Sequence, residues 1–258
     1  MPSRRSRARA ELMSFAAESA GRFAREALEG ADGEVCALFR RSFYLRCPGE
    51  RYACVGAPSV GNGPLNVLVP DLALPRLGDR VGVSFSRAKP WQPPPPVADQ
   101  PRLDDLTAAA GHRIPAEGFG CLVIGKHNAL SGHAQPALDA LERWLVGNAI
   151  GGEAAQLIGL GPGLTPSGDD YLGGMLVALR RTRNTMQAEG LWRWLQPLLK
   201  ERTSAISAAH LAAAAAGEGH EALHAVLNGD FDFDALDAVG HTSGWDALAG
   251  AAAVLRTY

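Results

Sequence analysis

The stretch that decides how this chain is organised reads Gly159-Leu-Gly-Pro-Gly-Leu-Thr-Pro-Ser-Gly-Asp-Asp-Tyr-Leu-Gly-Gly174. Four glycines and two prolines fall between Gly159 and Gly168, which is too many for a regular element, and an apolar helical pattern follows from Tyr171 to Arg183. A glycine-rich turn that leads into a helix leaves backbone N–H groups without partners at the positive end of the helix dipole. The stretch therefore predicts a site for a small anion.

The same stretch brings the side-chain oxygens of Thr165, Ser167, Asp169 and Asp170 into a few consecutive residues. Such oxygens hold Mg²⁺ or position a substrate, so Asp169 and Asp170 are candidate metal ligands and Mg²⁺ is the candidate cation. The cofactor is otherwise left unassigned. The structural alternative is a capped helix, in which Ser167 is the N-cap and Asp170 completes a capping box. Both interpretations stay open at this point.

A second copy of the motif lies near the C-terminus. The frame S-G-x-D-x-L-x-G runs from Ser167 to Gly174 and again from Ser243 to Gly250. In each copy the Ser can cap a helix, the Asp can reach back to the cap, and the last Gly allows another backbone to come close. We therefore expect two helices whose N-termini face one pocket.

Three chemistries suit such a pocket. Hydroxyl and backbone N–H groups could bind a phosphate or carboxylate, a cation could bridge aspartates to a phosphate, and a His or Asp could act as general acid or base. The candidate catalytic residues are His241, Asp170 and Asp246. The candidate substrate-binding residues are Gly161, Gly163, Thr165, Ser167, Gly168, Thr242, Ser243, Gly244, Asn62 and Ser204.

Two loops carry polar side chains whose roles the sequence leaves open. Asn62, in the turn Gly61-Asn-Gly-Pro64, could present its amide to a ligand, and a plain turn is the alternative. His127 and His133 lie in a Gly-containing segment without a carboxylate at ligand spacing. Surface or capping roles are favoured for these two histidines over metal binding.

Length and composition suit a globular protein with one large or two modest domains. The chain has 258 residues, 47 % hydrophobic and 20 % charged, and a formal charge of -2 that argues against a general nucleic-acid binder. No stretch approaches the roughly 20 apolar residues that span a bilayer, and charged residues interrupt the segment where a signal peptide would have its apolar core. The four cysteines lack C-x-x-C spacing, which favours free thiols. We expect a cytoplasmic protein without membrane or nucleic-acid partners.

The chain divides into a β-rich part and a helical part. An amphipathic helix is predicted over residues 8–29, followed by five short β-rich runs between Val35 and Phe85. Six prolines between Pro90 and Pro101 predict an extended connector. Helical patterns follow it, including a short helix over Leu103–Ala110, a helix over Ala134–Val146 and further Ala-rich helices. The predicted fold class is α+β. Its predicted domains are an N-terminal helix with a small antiparallel sheet or barrel (1–89), a Pro-rich linker (90–101) and a helical bundle with both motifs (102–258).

The motifs from Gly159 to Gly174 and from Gly240 to Gly250 (G-H-T-S-G-W-D-A-L-A-G) resemble the AllH family, once catalogued as a domain of unknown function and labelled a carboxylase. The T-S-A-I-S segment from Thr203 and the G-N-G-P-L-N turn from Gly61 fit the same pattern, so the resemblance spans roughly residues 35 to 255. It implies a subunit of a multi-subunit oxamate carbamoyltransferase of anaerobic allantoin (purine) catabolism. That enzyme converts oxalurate and phosphate into oxamate and carbamoyl phosphate. The resemblance also implies a small anionic substrate and companion subunits. It does not imply which residues are catalytic.

Three functions are consistent with the sequence. The first is a catalytic subunit of a carbamoyl-transfer or acyl-transfer enzyme, as the resemblance implies. The second is a carboxylase-like or ligase-like enzyme that uses a nucleotide. The third is a non-catalytic subunit that binds a metabolite or serves as a scaffold.

Overall fold

A computed structural model of the chain describes residues 13–96 and 103–257. The basic opening, the start of the predicted N-terminal helix and the end of the Pro-rich linker lie outside the described residues. The first described range holds one α-helix, α1 (Arg22–Leu28), and a short 3-10 helix over Pro58–Val60. It also holds the strands β1 (Met13–Ala16), β2 (Ser19–Gly21), β3 (Gly33–Leu38), β4 (Ser42–Cys47), β5 (Arg51–Gly56), β6 (Asn66–Leu68), β7 (Arg80–Ser84) and β8 (Lys89–Trp91).

The strands form one sheet in the order β1-β7-β3-β4-β5-β6-β2-β8. The short link between β1 and β2 joins distant parts of this sheet, because Ala17 N donates to Ser84 O of β7 and Glu18 N donates to Leu68 O of β6. The sheet is therefore curled. Phe43 and Leu45 of β4 point into the core inside the curl and are fully buried. Since side chains alternate along a strand, Tyr44 between them points to the opposite face.

The α+β class is confirmed, and all five predicted β-rich runs form strands. The sheet is mixed rather than antiparallel throughout, since β1 pairs with β7, β2 with β8 and β5 with β6 in parallel. The predicted helix over residues 8–29 is wrong for residues 13–21, and within the described part of that range, 13–29, only Arg22–Leu28 is helical. Phe15 fits a helical period in sequence, but it lies in the sheet core opposite Val83. Strand pairing here overrides local pattern.

Eight α-helices form the second described range, in agreement with the helical patterns. They are α2 (Leu103–Ala110), α3 (Ala129–Leu145), α4 (Ser167–Arg181), α5 (Thr185–Arg202), α6 (Ala205–Ala215), α7 (Glu221–Leu227), α8 (Phe233–Asp237) and α9 (Ser243–Leu255). The helix α3 begins five residues before its predicted start, because Asn128 caps it and exchanges hydrogen bonds with Ser131. The Pro-rich linker also starts later than predicted, since Pro90 lies in the edge strand β8. The domain boundaries themselves stay predictions.

Helices α4 and α9 cross in close contact at the centre of the helical region. A Cβ atom on Gly174 of α4 would overlap Ala247 O of α9, and a Cβ atom on Gly250 of α9 would overlap Tyr171 O of α4. The last glycine of each motif copy therefore lies where the other helix backbone passes. This is the close approach that the repeated frame predicts.

The sheet packs on the helical region through a small apolar interface. Tyr52 and Leu65 on the sheet side contact Ile206 and Ala213 of α6. An ion pair between Arg22 Nη2 and Glu218 Oε1, 2.6 Å apart, also joins the two parts.

All four cysteines are free thiols, and only Cys36 among them is exposed. Within residues 13–96 and 103–257, no helix has the length and apolar character needed to cross a membrane.

Candidate functional site

A pocket of about 390 Å³ lies between the sheet and the helical region. Strands β4 and β5 and the loop after β5 form one wall, and α4, α6, α7 and α9 form the other. Apolar side chains make up much of the lining, including Val177, Leu211, Leu223 and Val239. Sites for small molecules typically have volumes of about 300–1,000 Å³, apolar walls and a few convergent polar groups. The pocket has this character.

Helices α4 and α9 begin side by side at this pocket, but the predicted capping boxes are wrong. Pro166 and Thr242 are the N-caps, and neither side chain accepts a capping hydrogen bond from a backbone N–H of the first turn. Ser167 and Ser243 are instead the first residues of their helices. Their side chains lie near the aspartate of the neighbouring helix, Ser243 near Asp170 and Ser167 near Asp246, where they oppose the raised pKa of each carboxyl group. The two motif copies are thus joined reciprocally.

Asp170 is the carboxyl group of this pair that lines the pocket. Its Oδ2 atom is shielded from solvent and has no hydrogen-bond partner among the described residues. Burial raises the pKa of Asp170 well above its ordinary value, and the nearby carboxylates of Asp246 and Asp169 raise it further. Hydrogen bonds from Ser243 and Thr165 oppose this pKa shift. The site therefore favours a protonated Asp170, which can donate a hydrogen bond.

Asp246 occupies the equivalent position in α9 and has a different environment. It is fully buried and lies outside the pocket lining. It accepts hydrogen bonds from Phe119 N and, at 2.8 Å, from Thr242 Oγ1. Burial raises the pKa of Asp246, and these hydrogen bonds oppose the shift. Its role in the structure is to hold the start of α9.

Asp169, the first of the two candidate metal ligands, is occupied by protein donors. Its Oδ1 accepts from Gly159 N at 2.9 Å, and its Oδ2 accepts from Ser207 Oγ at 2.6 Å and from Thr203 Oγ1. Binding of Mg²⁺ by Asp169 would have to break these bonds. In the part of the chain that the structure describes, no group of three or more His, Cys, Asp and Glu side chains could hold a metal ion. Metal binding stays a prediction.

Hydroxyl groups are among the donors that this site presents. Thr165 Oγ1 lies 3.1 Å from Ser243 Oγ at the junction of the two helix starts. The amide of Gly168 donates to Leu160 O in the preceding loop, and the amides of Asp169 and Asp170 donate to the N-cap carbonyl of Pro166. These three amides of α4 therefore already have acceptors, whereas the sequence predicts unpaired amides here.

Eight of the sequence-predicted site residues line the pocket: Gly163, Thr165, Asp169, Asp170, His241, Thr242, Ser243 and Gly244. Six others do not: Asn62, Gly161, Ser167, Gly168, Ser204 and Asp246. Asn62 Nδ2 instead donates to Glu221 Oε2 at 3.0 Å and ties the turn to α7. Ser204 caps α6 and donates to Leu164 O at 2.7 Å. His127 and His133 are exposed and also lie outside the lining.

His241 lies at the rim of the pocket. Its side chain is 79 % exposed, and its Nε2 atom is 2.7 Å from Glu117 Oε2, which is itself largely exposed. A histidine at this place can exchange protons with solvent. Its role as general acid or base stays a prediction.

Sequence reasoning missed the polar groups on the far side of the pocket, among them Tyr44 and His210. Tyr44 Oη of β4 lies 2.8 Å from His210 Nε2 of α6. Burial lowers the pKa of His210 to about 4, so its imidazole is neutral at neutral pH. The strand alternation around Tyr44 indicates that it points away from the sheet core. No sequence pattern pairs it with a histidine 166 residues away.

Comparison with known families identifies the helical part of this site. A family model described as "Oxamate carbamoyltransferase subunit AllH" matches residues 157–255. Over these residues the resemblance to the AllH family is confirmed. No curated protein and no solved structure matches the chain. The AllH match contains α4, α6, α7 and α9, and with them Asp170, Ser243 and His210, whereas Tyr44 lies outside it.

Proposed function

We propose that the chain is a subunit of a carbamoyl-transfer enzyme of the oxamate carbamoyltransferase type, and that its pocket binds the small organic substrate. The observation that carries this proposal is the AllH match over residues 157–255, because that region includes the whole helical wall of the pocket. The reaction links oxalurate and phosphate with oxamate and carbamoyl phosphate. Companion subunits are part of the proposal, since the family is described as a subunit.

The group that binds between the two helix starts is, in this proposal, a carboxylate. No Lys or Arg belongs to the pocket lining within the described residues, whereas Asp169, Asp170 and Glu218 do. A doubly charged phosphate would lie among these acidic side chains without a compensating cation. A single carboxylate can instead accept hydrogen bonds from the hydroxyls of Thr165 and Ser243 and from a protonated Asp170. The N-terminal ends of the two helix dipoles favour the same negative charge.

The positive charge that carbamoyl phosphate requires would then come from a companion subunit at the pocket mouth. His241 is exposed there and stays the candidate for proton exchange. Asp246 acts in this proposal by holding Ser167 and the start of α9, not by touching substrate. The chain would thus supply the site for the organic substrate in a shared active site.

Calorimetric titration of the full chain with oxamate, oxalurate, phosphate and carbamoyl phosphate, with and without Mg²⁺, tests the binding part. We expect oxamate to bind and phosphate alone to bind weakly. Asp170→Ala combined with Ser243→Ala should abolish the oxamate signal, whereas Asp105→Asn on the exposed face of α2 should leave it unchanged. Oxamate binding that survives the double substitution would place the ligand elsewhere.

Turnover tests the enzymatic part. A tagged chain would be recovered with its companion subunits from its native host, and carbamoyl phosphate would be measured after addition of oxalurate and phosphate. We expect activity in the complex and none in the chain alone. A complex that consumes nucleotide instead, or that lacks carbamoyl transfer altogether, would contradict the proposal.

A further inference from the structure

The hydrogen-bonded pair of Tyr44 and His210 forms a second polar end of the pocket. Tyr44 comes from the sheet and His210 from α6, so the pair bridges the two walls. Their rings meet edge to face, with centroids 6.0 Å apart and an interplanar angle of 74°. Both side chains line the pocket and are half-buried, so a ligand can reach them.

Both members of the pair are uncharged near neutral pH. Burial, with a smaller contribution from the nearby His220, lowers the pKa of His210 to about 4. Burial raises the pKa of Tyr44 well above its ordinary value, with the thiol of Cys54 and the carboxylate of Asp170 adding to the shift. An uncharged pair in an apolar pocket does not attract an ion strongly, but it can hydrogen-bond a neutral polar group.

The pair can offer a ligand either an acceptor or a donor. When Tyr44 donates its O–H to His210 Nε2, the phenol oxygen retains a lone pair that can accept an N–H. When His210 Nε2–H donates to Tyr44 Oη, the phenol O–H is free to donate to a carbonyl oxygen. An amide or carbamoyl group carries both an N–H and a C=O, but only the first arrangement, in which the phenol oxygen accepts an N–H, distinguishes an amide from a ketone.

Asp170, Thr165 and Ser243 form another polar group in the lining of the same pocket of about 390 Å³. A single small molecule in the pocket can therefore contact both groups. We propose that Tyr44, held by His210, accepts an N–H of the amide or carbamoyl end of the substrate at its phenol oxygen, while the group at Asp170 holds its carboxylate. This inference rests on the proposed function and adds the residues that select the substrate.

A purely structural role for the pair makes a different prediction. If the bond between Tyr44 and His210 only ties the sheet to α6, its loss lowers stability and weakens every ligand alike. If the pair recognises the amide, its loss weakens only ligands that carry one. Oxamate and pyruvate separate these cases, because they have the same shape and pyruvate has a methyl group in place of the amide NH₂.

The test measures the affinities of oxamate and pyruvate for the full chain and for Tyr44→Phe. We expect the unmodified chain to prefer oxamate by about 10-fold, the value of one neutral hydrogen bond, and Tyr44→Phe to lose this preference through weaker oxamate binding alone. His210→Leu should lose it as well, and the double variant should add nothing further. Tyr52→Phe is the matched control, because Tyr52 does not line the pocket and its Oη atom donates a hydrogen bond to Glu50, just before β5.

Three results would overturn the inference. One is an equal loss for both ligands in Tyr44→Phe, which indicates a structural role. Another is a Tyr44→Phe variant that binds oxamate as tightly as the unmodified chain and still prefers it over pyruvate. The third is equal binding of both ligands by the unmodified chain, which leaves the proposed function standing. Failure of the unmodified chain to bind oxamate at all would overturn the proposed function together with the inference.

Discussion

Replacing Gly174 with alanine tests the helix crossing on which the site depends. A Cβ atom on Gly174 would lie far inside 3.0 Å of Ala247 O, a separation that real Cβ atoms do not show. The clash is with backbone, so no side-chain rotation can relieve it. The neighbouring Gly173 is a matched control within the same helix turn, since its Cβ atom would find its nearest atoms 3.8 Å away on Ala214 and Leu211.

The two substitutions should change stability in opposite directions. Overpacking in a well-packed core costs about 1–3 kcal/mol. Separation of the helices by roughly 1 Å also weakens the hydrogen bond between Thr165 and Ser243 and the polar contacts of Ser243 with Asp170 and of Ser167 with Asp246, together worth about 2 kcal/mol. We therefore expect Gly174→Ala to lower the free energy of unfolding by about 3–5 kcal/mol. Gly173→Ala gains helix propensity without a clash and should raise it by about 0.5–1 kcal/mol.

Urea unfolding followed by far-ultraviolet circular dichroism measures both values. At about 2–4 °C per kcal/mol for a chain of this size class, Gly174→Ala should also lower Tm by about 6–20 °C. The reasoning is refuted if Gly174→Ala unfolds at the same urea concentration as Gly173→Ala. A loss of stability of equal size in both variants would show that the helix, rather than its contact with α9, is the sensitive part.

Three further substitutions test other parts of the site. Gly250→Ala should destabilise the fold about as much as the change at Gly174, because its Cβ atom would overlap the backbone of Tyr171 in the reciprocal contact; a neutral result in urea would deny the symmetry of the crossing. Asp169→Asn should lower the free energy of unfolding by about 1–3 kcal/mol, since an amide NH₂ would replace an oxygen that accepts two hydroxyl donors. His241→Gln should leave the urea midpoint unchanged and lower the turnover of the assembled enzyme; unchanged turnover would remove His241 from the mechanism.

Helical periodicity and turn chemistry were enough to predict much of the fold. The pattern from Leu103 to Ala110 predicts α2 with its observed bounds, and the repeated frame predicts both the start of α9 and its close contact with α4. These signals are local, because a helix face and a capped turn are built from residues near each other in sequence. The strand over Met13–Ala16 has no such signal, since its partner β7 lies far along the chain.

The pocket itself could be predicted only in part for the same reason. Glycine and hydroxyl residues indicate the two helix starts in the sequence. Asp170 and Ser243 could therefore be predicted as site residues. Tyr44 and His210 come together only because the sheet folds over α6, and the sequence of either segment alone does not record this contact. The predicted capping boxes failed because each Ser hydroxyl had a second acceptor available on the other helix, which only the crossing brings near.

Asp170 and Asp246 occupy equivalent positions in the repeated frame, but they differ in their hydrogen-bond partners. This difference indicates that one aspartate holds the fold and the other faces the pocket. Asp246 has protein partners that hold it, whereas Asp170 lines the pocket with one oxygen unpaired. Because burial raises the pKa of Asp170 in the folded chain, its contribution to stability is full below the unfolded pKa of about 3.9 and is lost as pH rises through the folded value. Asp170→Asn carries no charge, so it should match the unmodified chain at pH 4 and exceed its stability at pH 8.

Asp246→Asn should behave differently, because its amide NH₂ would face the hydroxyl of Thr242, which now donates to a carboxylate oxygen. We expect a loss of about 1–3 kcal/mol at pH 4, where Asp170→Asn costs nothing. Urea midpoints of the two variants at pH 4 and pH 8 make the comparison. Asp170→Asn could instead be the less stable of the two variants at both pH values. In that case Asp170 is the carboxyl group that stabilises the fold, and its unpaired oxygen is not evidence of a ligand site.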